Sequence, residues 1–266
     1  MKDKHQSNRQ AWNEAASTYR KTLDESIAFL KNGGKNFCPP EMKFLKNLNE
    51  WCDRAIHLQC AGGHDSLSLI NLGAKEVIGV DISDEMINIA KEKSQALGMN
   101  AKWYQSDVLE TPADLNGTAD LVYTGRGALN WNMDIKAWAK VVARLLKPQG
   151  RAYIFEGHPI TYFFDMKASE LSFDPEFEGY FSGKILSSND WPETYVGKIK
   201  EDIKQQSTKY ETAWPTSSVI NALIEAGLTL QRFEEHPDAY WEEFPNLAES
   251  KRRMFPNTYS ILATKT

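Results

Sequence analysis

An α/β fold built on one doubly wound, mostly parallel sheet is what this 266-residue sequence predicts. Two observations predict it. Between residues 55 and 156, short strand-like runs alternate with amphipathic runs of helical period. One of these units, Arg54 to Asp81, also carries glycines in its first turn and a carboxylate at the end of its second strand.

Taken in order, residues 7–31 predict a helical lead-in, with Trp12, Ala15, Ala16, Tyr19, Leu23, Ile27 and Leu30 at mostly three- and four-residue steps. Asn32-Gly33-Gly34 ends it, and Pro39-Pro40 marks a loop before an amphipathic helix near Glu41 to Leu48. The alternation then predicts strand 55–60, helix 65–72, strand 76–80, helix 84–97 closed by Gly98, and strand 101–105. It continues with strand 119–123, helix 134–146 and strand 151–156.

After His158 the rhythm changes. Residues 159–215 are rich in aromatics among acidic and polar residues, and the alternation from Tyr195 to Trp214 predicts antiparallel strands. A helix over 216–225, a strand over 228–234 and a last strand near Tyr259 to Ala263 resume the earlier pattern. The expected organisation is a helical cap (1–50), a core made of 51–158 and 216–266, and an insertion (159–215). That insertion is expected over the carboxyl ends of the strands, where open α/β sheets bind ligands, as a substrate lid.

Composition narrows the partners. A net charge of -5 argues against a nucleic-acid substrate, which wants a basic face. Lys251-Arg252-Arg253, the one tight basic cluster, reads as a solvated face. Cys38, Cys52 and Cys60 show no CxxC and no zinc-like spacing, so no metal is expected and a reducing compartment fits. The polar start, Met1-Lys2-Asp3-Lys4-His5-Gln6, lacks an apolar signal core, and no run is long enough to span a bilayer. A cytoplasmic monomer or homodimer with a small-molecule partner is the expectation.

The Arg54–Asp81 unit fits a ribose-bearing cofactor. Small residues let backbone approach a ligand, the helix N-terminus offers free N–H groups, and Asp81, about twenty residues past the glycines, can accept from ribose hydroxyls. A plain αβ connection ending on an acidic residue is the duller alternative. Only Gly62 and Gly63 stand in the turn, where a pyrophosphate binder usually carries three glycines. Asp65 would also repel a phosphate by about 1 kcal/mol or more. A sulfonium with an amino-acid tail meets no such penalty, so the charge pattern leans from NAD towards S-adenosylmethionine.

Six motifs then occur in order. Trp12 to Tyr19 is similar to a W-x-x-x-A-x-x-Y leading helix, and His57-Leu58-Gln59-Cys60-Ala61-Gly62-Gly63 stands where D-L-G-C-G-T-G is usual. Gly79-Val80-Asp81-Ile82-Ser83, Gln105-Ser106-Asp107-Val108 and Asp120-Leu121-Val122-Tyr123-Thr124 resemble the ends of strands two, three and four. Val142 to Gly150 resembles the helix and turn before strand five. On these motifs the chain resembles the class I S-adenosylmethionine-dependent methyltransferases, within them the small-molecule, type-11/12-like branch.

The resemblance implies a Rossmann-like seven-stranded sheet of order 3-2-1-4-5-7-6, S-adenosyl-L-methionine as cofactor and S-adenosyl-L-homocysteine as product. It implies that Cys60, Ala61, Gly62 and Gly63 form the cofactor turn, and that Asp81 takes the ribose hydroxyls with Ile82 against the adenine. Ser106, Asp107 and Val108 would border the adenine edge, with Asp107 accepting from its amino group. Thr124 and Gly125 would hold the methionine tail, and Tyr19 would close over it. The chain departs from the pattern at His57, Gln59 and Ala61, with Ala61 expected to keep the turn tight at negative φ.

Methyl transfer needs alignment of a nucleophile and, for some acceptors, a base. Glu156 and His158, at the carboxyl end of strand five, are the candidate catalytic pair, and His236 and His64 are weaker candidates. His57 is expected to point into the sheet as a core residue, and the aromatics of 159–215 form either core or a cage for a planar or cationic acceptor. The expected activity is in-line methyl transfer to a small molecule. Two alternatives stand beside it: a catalytically silent S-adenosylmethionine-binding protein, and an NAD-dependent oxidoreductase.

Overall fold

The computed structural model describes residues 1–191 and 206–266. Parallel strands buried on both faces need apolar residues facing both sides, and the central strands of this chain supply them at most positions. In β1 (Arg54–Leu58), Ile56 and Leu58 face one side of the sheet and Ala55 the other. The same alternation runs through β2 (Glu76–Asp81), β4 (Ala119–Gly125) and β5 (Leu146–Gly157). With β3 (Ala101–Gln105), β8 (Leu228–His236) and β9 (Thr258–Lys265) they form a seven-stranded sheet of order β3-β2-β1-β4-β5-β9-β8. β1 to β5 run parallel, and β9 enters antiparallel between β5 and β8. This is the Rossmann-like arrangement that the resemblance implied.

Helices cover both faces. On one side α6 (Ile135–Leu145) and α7 (Thr216–Glu225) bury Trp138, Val142, Leu145, Val219 and Leu223 against Ile56, Val122 and Ile154. Asp134 caps α6 by accepting from Ala137 N at 2.9 Å. On the other side α3 (Pro39–Leu45) and α4 (His64–Asn71) pack on Val77, Tyr123 and Phe155. α5 (Asp84–Leu97) follows β2, with Ser83 accepting from Met86 N at its start and left-handed Gly98 at its end.

The lead-in is two helices, α1 (Lys2–Lys21) and α2 (Leu23–Lys31). Ala11, Ala15 and Ala16 give α1 a small-residue face that packs against Met86 and Ile89 of α5. Arg9 and Asn13 fasten it by donating to Asp84 Oδ1, at 2.9 and 2.8 Å. β6 (Ile185–Ser188) and β7 (Lys209–Thr212) form the antiparallel pair expected in the insertion. Only β7 falls inside the Tyr195–Trp214 stretch, and Tyr195 itself lies outside the described residues. Asn8 of α1 binds this pair like a strand residue, donating to Tyr210 O and accepting from Tyr210 N, both at 2.8 Å. No helix among the described residues is long and apolar enough to cross a membrane. A short α8 (Glu249–Arg252) carries part of the basic cluster, with Lys251 and Arg252 paired to Glu170 and Glu242.

Candidate active site

The turn after β1 is the floor of the site. Gln59 and Ala61 adopt left-handed φ values of 57° and 45°, and Gly63 one of 73°. The condition under which Ala61 was expected to keep the turn tight, a negative φ, is not met. An L-residue in that region carries about 1–2 kcal/mol of strain, which persists where surrounding contacts enforce it. Asp81, at the end of β2, supplies those contacts: its carboxylate accepts from Ala61 N and Ser83 N, both at 2.8 Å. Burial pushes its pKa up to about 6, against the pull of these N–H groups. Gly63 has no freedom to grow, since a Cβ would come within 2.6 Å of Trp103 and 2.8 Å of Ala90.

A second wall forms where β3 ends. Asp107 caps the turn Val108–Glu110 through Leu109 N at 3.0 Å, and takes a second bond from His5 Nδ1 at 2.5 Å. Met133 N donates to His5 Nε2 at 3.3 Å, so the ring proton sits on Nδ1 and points at Asp107. Burial works against the Asp107 anion, but the bonds from His5 and Leu109 outweigh it and hold the carboxyl below its usual range. The first turn of α1 is thus tied to the strand-three carboxylate.

The third wall follows β4, at Gly125-Arg126-Gly127. Arg126 is left-handed at φ 63° and largely buried. Its guanidinium pairs with Glu41 at 3.0 Å and Asp65 at 3.6 Å and donates to Asn36 O at 2.5 Å. Asp65 therefore does not stand alone at the start of α4, as the sequence suggested. Two buried atoms here lack a hydrogen-bond partner: Arg126 Nε and Gln59 Oε1. Gln59 Nε2 donates to Ala128 O at 2.6 Å, which ties the first turn to the third wall. An orphan buried donor and an orphan buried acceptor on residues that line one cavity suit a zwitterionic amino-acid tail.

These walls enclose one cavity of about 550 Å³. Of the sequence-derived cofactor residues, Tyr19, Cys60, Ala61, Gly62, Asp81 and Ile82 line it, as do Asp107, Val108 and Gly125. Gly63, Ser106 and Thr124 do not: Gly63 backs onto Trp103, Ser106 Oγ turns to Asp107 O, and Thr124 is buried in β4. Tyr19 comes from α1 as expected, its phenol pushed up to about 12 by burial and then by Asp65 and Asp81. His57 is both core and wall. It bonds Ser66 at 2.8 Å and packs on Tyr123, yet it borders the cavity, and burial pushes its pKa down to about 4.

Three expectations need correction. Glu156 does not line the cavity; its carboxylate accepts from Gly127 N, Ala128 N and Leu129 N at 2.7, 3.1 and 3.2 Å, clamping the third wall from behind. His158 is also outside, with Nε2 on Glu235 at 3.0 Å and Nδ1 accepting from Ile160 N at 3.1 Å. No described residue of 159–215 lines the cavity. The cover comes instead from α1 and α2, through His5, Trp12, Tyr19, Thr22, Ser26 and Phe29, with Trp241 at the rim. The aromatics Tyr162, Phe163, Phe164, Phe173 and Tyr180 stack among themselves and on Phe177, Phe244 and Phe255.

Sequence reasoning missed His5, Lys93, Arg126 and Trp241. Lys93 offered one signal, a lysine at a helical step that faces the sheet: it is buried, its Nζ donates to Gly62 O at 3.0 Å, and burial pushes its pKa down to about 8. Arg126, between two glycines at a strand end, offered another.

Comparison with known proteins agrees with this geometry. A family model described as a methyltransferase domain matches residues 55–150. Demethylmenaquinone methyltransferase of Lactococcus lactis is 30% identical over 174 residues, covering 64% of this chain and 67% of that protein. Carboxy-S-adenosyl-L-methionine synthase of Nautilia profundicola is 33% identical over 113 residues, 41% of this chain and 44% of the other. Among solved structures, an S-adenosylmethionine-dependent methyltransferase from Clostridium acetobutylicum aligns with a TM-score of 0.57 at 17% identity, over 82% and 86% of the two chains. Geranyl diphosphate C-methyltransferase from Streptomyces coelicolor, solved with S-adenosyl-L-homocysteine, aligns at 0.52 and 15% identity, over 80% and 73%. The chain belongs to the class I S-adenosylmethionine-dependent methyltransferases. Its cofactor is S-adenosylmethionine, and the orphan Gln59 and Arg126 atoms, with Asp81 in the same cavity, fit that molecule.

Proposed function

We propose that this methyltransferase acts on a small-molecule acceptor, by in-line transfer inside the cavity under α1 and α2. The carrying observation is that one cavity of about 550 Å³ is lined both by the strand-end carboxylates Asp81 and Asp107 and by the polar and aromatic side chains Ser26, Phe29, His64 and Trp241. Asp81 takes the ribose hydroxyls, Asp107 and Val108 the adenine edge, and Gln59 and Arg126 the amino-acid tail. A cavity of that volume suits a small acceptor. In this reading the two helices, rather than residues 159–215, exclude water from the reacting atoms.

Thermal shift and calorimetry test it. A ligand at 100 times its Kd raises stability by about 2.7 kcal/mol, a rise of several degrees in Tm. S-adenosyl-L-homocysteine is expected to give that rise and NADH none. A shift with NADH alone would end the reading. The silent-binder alternative draws on Gln59 and Ala61, which put side chains where the family has glycines. Methyl transfer to any small molecule eliminates it.

A further inference from the structure

Helix α2 touches one side chain at the far end of the cavity twice. Ser26 Oγ lies 2.5 Å from His64 Nδ1, and the Phe29 ring stacks on the same imidazole, with centroids 5.2 Å apart and planes at 27°. His64 is the first residue of α4 and lines the cavity. Its Nε2 has no hydrogen-bond partner among the described residues. Granted the methyltransferase reading, we propose that His64 Nε2 is the base that takes the acceptor's proton, that Ser26 and Phe29 position it, and that the acceptor is a hydroxylated aromatic ring.

The surroundings keep His64 a neutral base. Burial comes first, and Lys93 and Arg126 add to it; Asp65 opposes, and the net effect lowers its pKa. The N-terminus of α4 works in the same direction, since its partial positive charge disfavours an imidazolium. Glu25 of α2 also borders the cavity. The proposal requires Nδ1–H to donate to the Ser26 hydroxyl oxygen, which leaves the free lone pair on Nε2. A base built this way exists only while α2 lies over α4.

Two features select the acceptor. Phe29 and Trp241 stay 42% and 38% exposed where they border the cavity, leaving apolar faces for a planar ring. Arg126 and Lys93 line the cavity together with Glu25, Asp65, Asp81 and Asp107, and the two cations can stabilise an oxyanion that develops beside them. A carboxylate acceptor would give His64 no proton to remove. In the step, the hydroxyl proton passes to His64 Nε2 and the oxygen lone pair forms the bond to the methyl carbon. The carbon–sulfur pair stays on sulfur, giving S-adenosyl-L-homocysteine, and the imidazolium later releases its proton to water.

The test joins spectroscopy to turnover. In ¹⁵N spectra of the five imidazoles, His64 is expected as the Nδ1–H tautomer, titrating below the ordinary histidine range. Ser26→Ala is expected to lose that tautomer preference and move the midpoint, and Ser26→Thr to restore both. With catechol and 1,4-dihydroxynaphthalene as probes, His64→Gln should lower kcat by about 10² to 10⁴, with S-adenosyl-L-homocysteine affinity within about twofold of wild type. Ser26→Ala should lower kcat about tenfold and shift the acidic limb of its pH profile, leaving KM in place. An unshifted His64 signal in Ser26→Ala, full turnover in His64→Gln, or transfer to neither phenol overturns the proposal. Absence of S-adenosyl-L-homocysteine binding in the wild type would instead overturn the methyltransferase reading on which it rests.

Discussion

Two carboxylates end strands of the same sheet, Asp81 on β2 and Glu156 on β5, and they do different work. Both are buried, at 8% and 2% exposure, both accept backbone N–H groups, and burial raises both, to about 6 and about 8. A carboxylate offers about four lone-pair sites. Asp81 gives two of them to the turn and still borders the cavity. Glu156 gives three to residues 127–129 and faces no cavity. Position at a strand's carboxyl end therefore does not separate a ligand contact from a structural clamp. Whether the carboxylate borders the cavity does.

The largest expected effect breaks the clamp. Glu156→Ala leaves three backbone donors without their acceptor, each at a cost of about 1–3 kcal/mol where water cannot replace it. Because Gly127 and Ala128 border the cavity, water can rescue part of this loss. A destabilisation of about 3 kcal/mol in urea unfolding is expected, with Glu156→Gln intermediate. A Glu156→Ala protein as stable as wild type but unable to transfer methyl would return Glu156 to the reaction and dissolve the contrast with Asp81.

Asp81→Ala is expected to do the reverse. The chain should stay folded while S-adenosyl-L-homocysteine binding weakens at least tenfold, since each bond to a charged acceptor is worth about 1.5–3 kcal/mol. Calorimetry on the folded variant decides it, and unchanged affinity would move the ribose contact to another residue.

The pH dependence sharpens the same point. Both carboxyls have folded pKa values above their unfolded ones. Their contribution to stability is therefore full below about pH 4 and is lost as pH rises, through about 6 for Asp81 and about 8 for Glu156. Under the proposed ribose contact, cofactor binding runs the other way at Asp81, because ribose hydroxyls would donate to the ionised form. S-adenosyl-L-homocysteine affinity is expected to fall as pH drops below about 6, by up to tenfold per unit. Asp81→Asn should abolish that slope, and Glu156→Gln should leave it in place.

How far the sequence could be read follows the distance between partners. The strand at Ala55 to Leu58 and the placing of Asp81 and the Ala61 turn at one cavity lie within one βαβ unit and were legible there, whereas the bond from Ala61 N to Asp81 was not. His5 meets Asp107 across 102 positions, and Glu41 meets Tyr123 across 82, at 2.5 Å. No local pattern reports such pairs. The lid was misplaced for a related reason. Aromatic density in 159–215 reads equally as cage or core, and the structure spends it on ring-to-ring packing around Phe164, Phe244 and Phe255. The cover over the cavity comes from α1 and α2, where the sequence showed an apolar stripe and offered only Tyr19 as a residue closing over the cofactor. Arg126 was missed by one residue, because Thr124-Gly125 carried the motif and the left-handed turn that aims the guanidinium begins just after it.

The smallest expected effect lies inside the Asp81-held turn and asks whether its strain is real. Ala61 and Gly63 both have positive φ, but only Ala61 carries a side chain there. Changing Ala61 to Gly removes about 1–2 kcal/mol of left-handed strain. It adds about 0.5–1 kcal/mol of chain entropy to be lost on folding. It also gives up part of one methyl contact, at most about 0.8 kcal/mol, since Ala61 packs at the edge of the Trp12 and Trp131 cluster. These terms nearly cancel, so Ala61→Gly should unfold within about 1 kcal/mol of wild type, a change of at most a few degrees in Tm. An Ala-to-Gly change at an unstrained site would lose all of the entropy and contact terms. A destabilisation near 2 kcal/mol would therefore mean that Ala61 bears no strain, and that Asp81 is not holding the turn against its own preference.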